Sequence, residues 1–143
     1  MKRHLLDHDE RRRSLTDGGP LRVLVVEDEP AIALELRDML LRLGHDVCGL
    51  AVDTAEAIGL ASEHAPDLVL MDITLRRGDD GITAAAAIKA AMPVQVVFAT
   101  AYGYDPAIRA RMAATGASAV LVKPILLREL RETLAAIQIE PAD

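Results

Sequence analysis

The chain is poor in aromatic residues and in cysteine: its 143 residues include no Trp, one Phe, two Tyr and one Cys. Cys48 has no second cysteine with which to form an internal disulfide. The apolar runs are too short for a transmembrane helix, and no apolar stretch follows the first charged residues as it does in a secretory signal. These absences predict a cytoplasmic protein without a membrane segment.

Basic residues are fewer than acidic residues in this chain. The sequence has 22 Asp or Glu against 16 Lys or Arg, a formal net charge of −6. Residues 1–19 carry five Lys or Arg and four Asp or Glu, so the acidic excess lies in residues 20–143. Because nucleic acids and anionic lipids are polyanions, we expect neither nucleic acid nor a membrane as a partner.

The length fits one domain. Residues 1–19 are dense in charge and end in Asp-Gly-Gly, which is typical of a linker. A nucleic-acid arm built on Arg11–Arg13, or a metal site from His4 and His8, is the alternative for this stretch. The interspersed acids and the lack of further ligands favour a charged, flexible N-terminal tail. We therefore expect one folded domain over residues 20–140 and no output domain after it.

Five short apolar runs alternate with amphipathic segments. Four of the runs are almost continuously apolar, as strands covered on both faces must be, whereas the second contains a glycine and is expected at a sheet edge. The runs are VLVV (23–26), DVCGLAV (46–52), LVLM (68–71), VQVVFA (94–99) and AVLV (119–122).

The amphipathic segments have the start and stop signals of helices. Pro30, Asp53, Asp80 and Asp105 stand where helices are expected to begin, and the last segment carries a leucine-rich stripe from Leu127 onward. Strands that alternate with helices through short loops predict a doubly wound α/β fold with a parallel sheet.

Polar residues follow four of the predicted strands. Glu27 and Asp28 come after the first strand, Asp72 after the third, Thr100 after the fourth and Lys123 after the fifth. In doubly wound folds ligands bind beyond the carboxyl ends of the strands, so we expect these side chains to share one edge of the sheet.

Three carboxylates and one ammonium leave a local charge near −2, which a divalent cation would neutralise. Hard oxygen ligands favour Mg²⁺. Asp72 stands alone at the end of the third strand and is the predicted nucleophile for phosphoryl transfer, while Lys123 and Thr100 are placed to stabilise the transferred group. Each residue also has a structural explanation, as a cap, a turn residue or a surface charge, and Glu29, Asp79 and Asp80 are expected to be structural.

With these residues in place, the chain resembles a response regulator receiver domain over about residues 21–138. The motif consists of the acidic pair, Asp72, Thr100 and the dipeptide Lys123-Pro124. The resemblance implies a flavodoxin-like five-stranded parallel sheet in order 2-1-3-4-5. It also implies that Asp72 accepts a phosphoryl group from a histidine kinase or a phosphotransfer protein, and that the domain catalyses only its own phosphorylation and dephosphorylation.

The resemblance further implies a ligand set and a mode of signalling. Asp28, Asp72 and the backbone carbonyl of Thr74 would bind Mg²⁺, and Glu27 would bind it through water. Lys123 and Thr100 would contact the phosphoryl oxygens. A monomer or weak dimer would signal by contact with another protein through the fourth helix, fifth strand and fifth helix, or would act as a phosphate sink.

The sequence departs from the family in three places. Val120 stands where receivers usually have Tyr or Phe, so Tyr102 or Tyr104 is a candidate to take over that coupling. Arg76 replaces a common proline, and the loop to Gly81 is one residue longer. The string FATAYG (98–103) is similar to one in single-domain receivers linked to bacterial general stress signalling.

Two alternatives belong to other classes. A Mg²⁺-dependent phosphohydrolase of the haloacid-dehalogenase type usually has a second aspartate two residues after its nucleophile, where this chain has Thr74. A flavodoxin-like cofactor binder needs a phosphate loop after the first strand, where Glu27, Asp28 and Glu29 would repel a phosphate.

Overall fold

The computed structural model describes residues 18–138, which form five strands and five α-helices in alternation, with one 3₁₀ turn at Arg76–Gly78. The strands are β1 (Arg22–Val26), β2 (Asp46–Ala51), β3 (Leu68–Met71), β4 (Gln95–Thr100) and β5 (Ala119–Val122). The helices are α1 (Pro30–Arg42), α2 (Thr54–His64), α3 (Gly81–Ala91), α4 (Pro106–Ala114) and α5 (Leu127–Gln138).

The sheet is parallel throughout, and its strand order is β2-β1-β3-β4-β5. This confirms the predicted doubly wound, flavodoxin-like topology and the edge position of β2. The last residues of β1 and β3, Val26 and Met71, pair with each other, and Thr100 pairs with Val122. The carboxyl ends of four strands therefore lie close to one edge of the sheet.

Helices cover both faces of the sheet. Alternate residues of a strand point to opposite faces, so Val25 packs towards α1 and α5 while Leu24 and Val26 pack towards α2 and α3. The first face is filled by side chains such as Leu40 and Leu134, and the second surrounds Phe98. The fold is thus three layers, helix, sheet and helix.

The predicted helix starts are confirmed. The side chain of Asp53 accepts a hydrogen bond from the Glu56 N–H, and Asp80 and Asp105 accept from N–H groups at the starts of α3 and α4. Glu29 occupies the N-cap position of α1, but its side chain makes no capping hydrogen bond. Strand β4 begins and ends one residue later than predicted, so Thr100 is its last residue rather than the residue after it.

Most of the predicted N-terminal tail lies outside the described residues, as do residues 139–143. No helix within residues 18–138 is long and apolar enough to cross a membrane.

Candidate functional site

The carboxyl edge of the sheet gathers four of the predicted side chains. Glu27 and Asp28 follow β1 and Asp72 follows β3, and one carboxylate oxygen from each lies within 4.8 Å of the others. Lys123 follows β5, and its Nζ lies 2.5 Å from Oε1 of Glu27 and 3.0 Å from Oδ2 of Asp72. Three sequence-distant segments thus meet at one point, as the strand-end pattern predicted.

Glu27 and Lys123 form a part-buried ion pair within this cluster. Only 2% of Glu27 is exposed. Burial, aided by the charge of Asp72, raises the pKa of Glu27 to about 7, although the hydrogen bond from Lys123 opposes that rise. Burial alone would lower the pKa of Lys123, but its hydrogen bonds to Glu27 and Asp72 outweigh burial, so this pKa is raised.

The donor set fits a magnesium ion. Three carboxylates against one ammonium leave an excess of negative charge in a largely buried place. Carboxylate oxygens are hard ligands of the kind that Mg²⁺ prefers, and the ion needs only one or two of them because it keeps several waters. The residues present are therefore suited to hold Mg²⁺ and to be relieved of mutual repulsion by it.

Asp28 differs from its two acidic neighbours in its bonding. Glu27 and Asp72 each accept hydrogen bonds from Lys123 and from a backbone N–H, at Glu29 and Thr74 respectively. Within residues 18–138, no group donates a hydrogen bond to the Asp28 carboxylate, which is half-buried. Of the three carboxylates, Asp28 is therefore the one whose oxygens accept no hydrogen bond from the described residues, which leaves them available to a cation.

The loop after Asp72 holds that side chain in place. The Thr74 N–H donates to Oδ1 of Asp72 at 3.3 Å, and the Gly81 N–H donates to the Ile73 carbonyl at 2.8 Å. A Cβ on Gly81 would lie 1.8 Å from the Asp72 carbonyl oxygen, so only glycine allows this approach. This role of Gly81 was not predicted, although a glycine directly after two aspartates was an available signal in the sequence.

Thr100 is fully buried at the end of β4. Its Oγ1 accepts a hydrogen bond from the Tyr102 N–H at 2.9 Å, and its carbonyl accepts one from the Lys123 N–H at 2.9 Å. The backbone of Thr100 is therefore tied to the residue that binds Glu27 and Asp72. The predicted contact of Thr100 with a phosphoryl group remains a prediction, as does the role of the exposed Thr74.

Sequence comparison finds relatives among bacterial regulators. The chain is 44% identical over 112 residues to the transcriptional regulatory protein PdtaR of Mycobacterium tuberculosis, a match that covers 78% of this chain and 53% of PdtaR. The chain thus spans about half the length of that relative. It is 32% identical to the chemotaxis protein CheY of Bacillus subtilis, with 79% of this chain and 93% of CheY covered.

Structural comparison agrees with the sequence matches. The solution structure of the PhyR response regulator receiver domain from Erythrobacter litoralis superposes with a TM-score of 0.77 at 31% identity, covering 89% of this chain and 96% of that one. The family model of the response regulator receiver domain matches residues 23–135, which include the whole carboxylate cluster and Lys123. The chain belongs to the response regulator receiver domain family.

Proposed function

We propose that Asp72 accepts a phosphoryl group from a histidine kinase or a phosphotransfer protein. The observation that carries this proposal is the position of the Asp72 carboxylate, which lies among Glu27, Asp28 and Lys123 at the end of the central strand. A carboxylate oxygen forms a bond to phosphorus while the bond from phosphorus to the donor nitrogen breaks, and the released imidazole takes up a proton. The product is an aspartyl phosphate.

The side chains around Asp72 serve this step by position and charge. Lys123 already donates to Oδ2 of Asp72, and its ammonium is placed to pair with an incoming phosphoryl oxygen. Thr100 supplies a hydroxyl at the end of the neighbouring strand. The Thr74 N–H holds the other carboxylate oxygen, so the nucleophile is oriented before the donor arrives.

The proposed cofactor is Mg²⁺, held by Asp28, Asp72 and the backbone carbonyl of Thr74, with Glu27 binding it through water. When bound, the ion would supply positive charge to the phosphoryl oxygens. This assignment is supported by the Asp28 carboxylate, which accepts no hydrogen bond from the described residues.

The proposed output is contact with another protein through α4, β5 and α5. Strand β5 forms an edge of the sheet, and three of its four residues are only half-buried. A phosphoryl group adds about −1.5 to −2 charges to the site, which shifts the population of the neighbouring loops. The link of FATAYG (98–103) to general stress signalling remains a prediction, as do the cytoplasmic location and the monomer or weak dimer.

The test is phosphorylation with acetyl phosphate and Mg²⁺, followed by intact mass measurement. We expect the mass of one phosphoryl group to be added to the wild type and to Asp38→Asn, which alters an exposed aspartate of α1. We expect no addition to Asp72→Asn. Equal uptake by Asp72→Asn would place the acceptor elsewhere and contradict the proposal.

The same samples separate this function from a phosphohydrolase. The proposed acceptor role predicts uptake of one phosphoryl group on Asp72 and no continuous turnover of p-nitrophenyl phosphate, whereas a phosphohydrolase turns over p-nitrophenyl phosphate continuously. Continuous release of p-nitrophenol that is lost in Asp72→Asn would favour the enzyme.

Measuring a kinase's phosphorylation with the wild type and with Asp72→Asn then distinguishes a phosphate sink from an activator.

A further inference from the structure

The loop between β4 and α4, residues 101–105, is packed directly against β5. Gly103 is buried, and a Cβ built on it would lie 2.4 Å from Cγ2 of Val122 and 3.6 Å from Cγ1 of Val120. The φ angle of Gly103 lies outside the left-handed region, so space rather than backbone conformation requires glycine here. With any larger residue at this position, either the Val122 side chain or the loop would have to move.

Arg109 of α4 holds the same point of the loop by a hydrogen bond. Its Nη1 donates to the Gly103 carbonyl at 2.8 Å, and a charged donor makes a stronger bond than a neutral one. The Asp105 N–H donates to the Tyr102 carbonyl at 3.1 Å and closes a turn around Gly103. Gly103, Arg109 and Val122 together form a loop lock.

The lock acts on Thr100 through Tyr102. Oγ1 of Thr100 accepts the Tyr102 N–H, so the position of the loop and the orientation of the hydroxyl depend on each other. If Thr100 turns towards a phosphoryl group on Asp72, the Tyr102 N–H loses its acceptor unless the loop moves as well. Breaking the bond from the Tyr102 N–H costs the net stabilisation of one hydrogen bond, about 0.5–1.5 kcal/mol, so the two movements are linked.

We propose that the loop lock keeps residues 101–105 in the arrangement that bonds Tyr102 to Thr100, and that Arg109 is thereby a positioning residue for phosphorylation of Asp72. The proposal rests on the proposed function of Asp72. It adds a regulatory contact between α4, the loop and β5, which acts in a chain that has Val120 in place of the usual aromatic ring.

The first test weakens the lock with Arg109→Gln. We expect the rate of phosphorylation by acetyl phosphate with Mg²⁺ to rise about twofold to tenfold, the range that corresponds to the loss of one hydrogen bond. Amide exchange at Tyr102 should also accelerate in the unphosphorylated protein. Arg109→Lys keeps the charge and a donor and should restore part of the wild-type behaviour. Arg128→Gln removes an equal charge from an exposed position on α5 and should change neither readout.

The second test uses the packing of the loop. Gly103→Ala introduces the clashing Cβ and should raise both the phosphorylation rate and Tyr102 exchange. In Gly103→Ala with Val122→Ala the nearest remaining atom of residue 122 is Cβ, 3.5 Å away, which is an ordinary contact. This double variant should return towards wild type, a rescue that general destabilisation would not produce.

The outcomes separate the two proposals. If the wild type is phosphorylated on Asp72 but Arg109→Gln and Gly103→Ala leave the rate unchanged or lower it, the loop lock is overturned and the proposed function stands. Absence of rescue in the double variant also overturns the lock. If the wild type itself takes up no phosphoryl group, both the proposed function and the loop-lock proposal are overturned.

Discussion

His45 shows how one buried side chain makes the fold sensitive to pH. It is 7% exposed, and its Nδ1 accepts a hydrogen bond at 3.0 Å from the N–H of Leu21, the residue directly before β1. Burial lowers the pKa of His45 below its usual 6.5, and the charge of Asp46 only partly opposes that effect. Protonation of Nδ1 would remove the acceptor as well as bury a charge.

The contribution of His45 to stability should therefore fall as the pH drops below about 6.5. In that range the unfolded chain takes up a proton at His45 more readily than the folded protein, so protonation favours unfolding, and above it the His45 contribution is constant. We expect the free energy of unfolding of the wild type, measured by urea denaturation relative to that of His45→Asn, to fall between pH 7.5 and 5.5. Other titrating groups, including Glu27, are common to both proteins and cancel in the comparison.

The Asn variant isolates the charge from the hydrogen bond, because Oδ1 of Asn can accept the Leu21 N–H. His45→Ala removes the acceptor and should be less stable than His45→Asn by about 1–3 kcal/mol at every pH. Identical pH profiles for wild type and His45→Asn would show that His45 is not the titrating group.

Also at the residue scale, the sequence predicted that Glu27, Asp28, Asp72 and Lys123 would meet beyond the strand ends, but it did not predict the bonds between them. Asp72 and Lys123 could be found because each follows an apolar strand in a parallel sheet. The pairing of Lys123 with Glu27 and Asp72 across 96 and 51 residues of sequence depends on the register of strands that the sequence does not specify. The contact of Arg109 with Gly103 was missed because arginine on a helix is normally a surface charge.

Among the elements, α4 has the fewest buried residues of the described helices. Met112 is its one buried residue, whereas α1 buries Ala33, Leu36, Met39 and Leu40. Two polar contacts supplement that anchor, from Arg109 to Gly103 and from Arg111 to Asp80 at the start of α3. A helix held in this way should open locally at a lower free energy than the rest of the fold.

Native-state hydrogen exchange can test this. We expect amides in α4 to exchange faster than those in α1, and Met112→Ala to widen the difference because a buried methionine truncated to alanine loses about 2–5 kcal/mol. Met39→Ala, which truncates the same residue type in α1, should narrow the difference in exchange rate between the two helices. Protection of α4 equal to that of α1 in the wild type would contradict the prediction.

The element boundaries were largely readable from sequence because local signals and tertiary structure agree here. Asp53, Asp80 and Asp105 cap helices where their positions predicted, and β3 and β5 match their apolar runs residue for residue. The shift of β4 to include Thr100 reflects pairing with Val122, a contact between distant segments. The pattern of apolar and polar side chains along β4 could not reveal this pairing.

For the molecule as a whole, repulsion within the acidic cluster lowers the stability of the folded state, and a bound cation can offset that repulsion. The chain carries a net charge of −6, and three carboxylates converge around a single ammonium. A ligand that binds only the folded state stabilises it by mass action. Mg²⁺ should therefore raise the free energy of unfolding, and the effect should depend on the site rather than on general screening of charge.

Urea denaturation in the presence and absence of Mg²⁺, at constant ionic strength set with NaCl, measures this effect. At a free Mg²⁺ concentration ten times the dissociation constant we expect a gain of about 1.4 kcal/mol in the wild type. Without Mg²⁺, Asp28→Asn should be at least as stable as the wild type, because no described group donates to that carboxylate and its charge repels Glu27 and Asp72. With Mg²⁺ it should lose most of the gain. Glu29→Gln changes the exposed neighbouring acid and should retain the gain. An equal gain in Asp28→Asn would mean that Mg²⁺ acts on the overall charge and not at the cluster, because only a bound ion depends on one particular carboxylate.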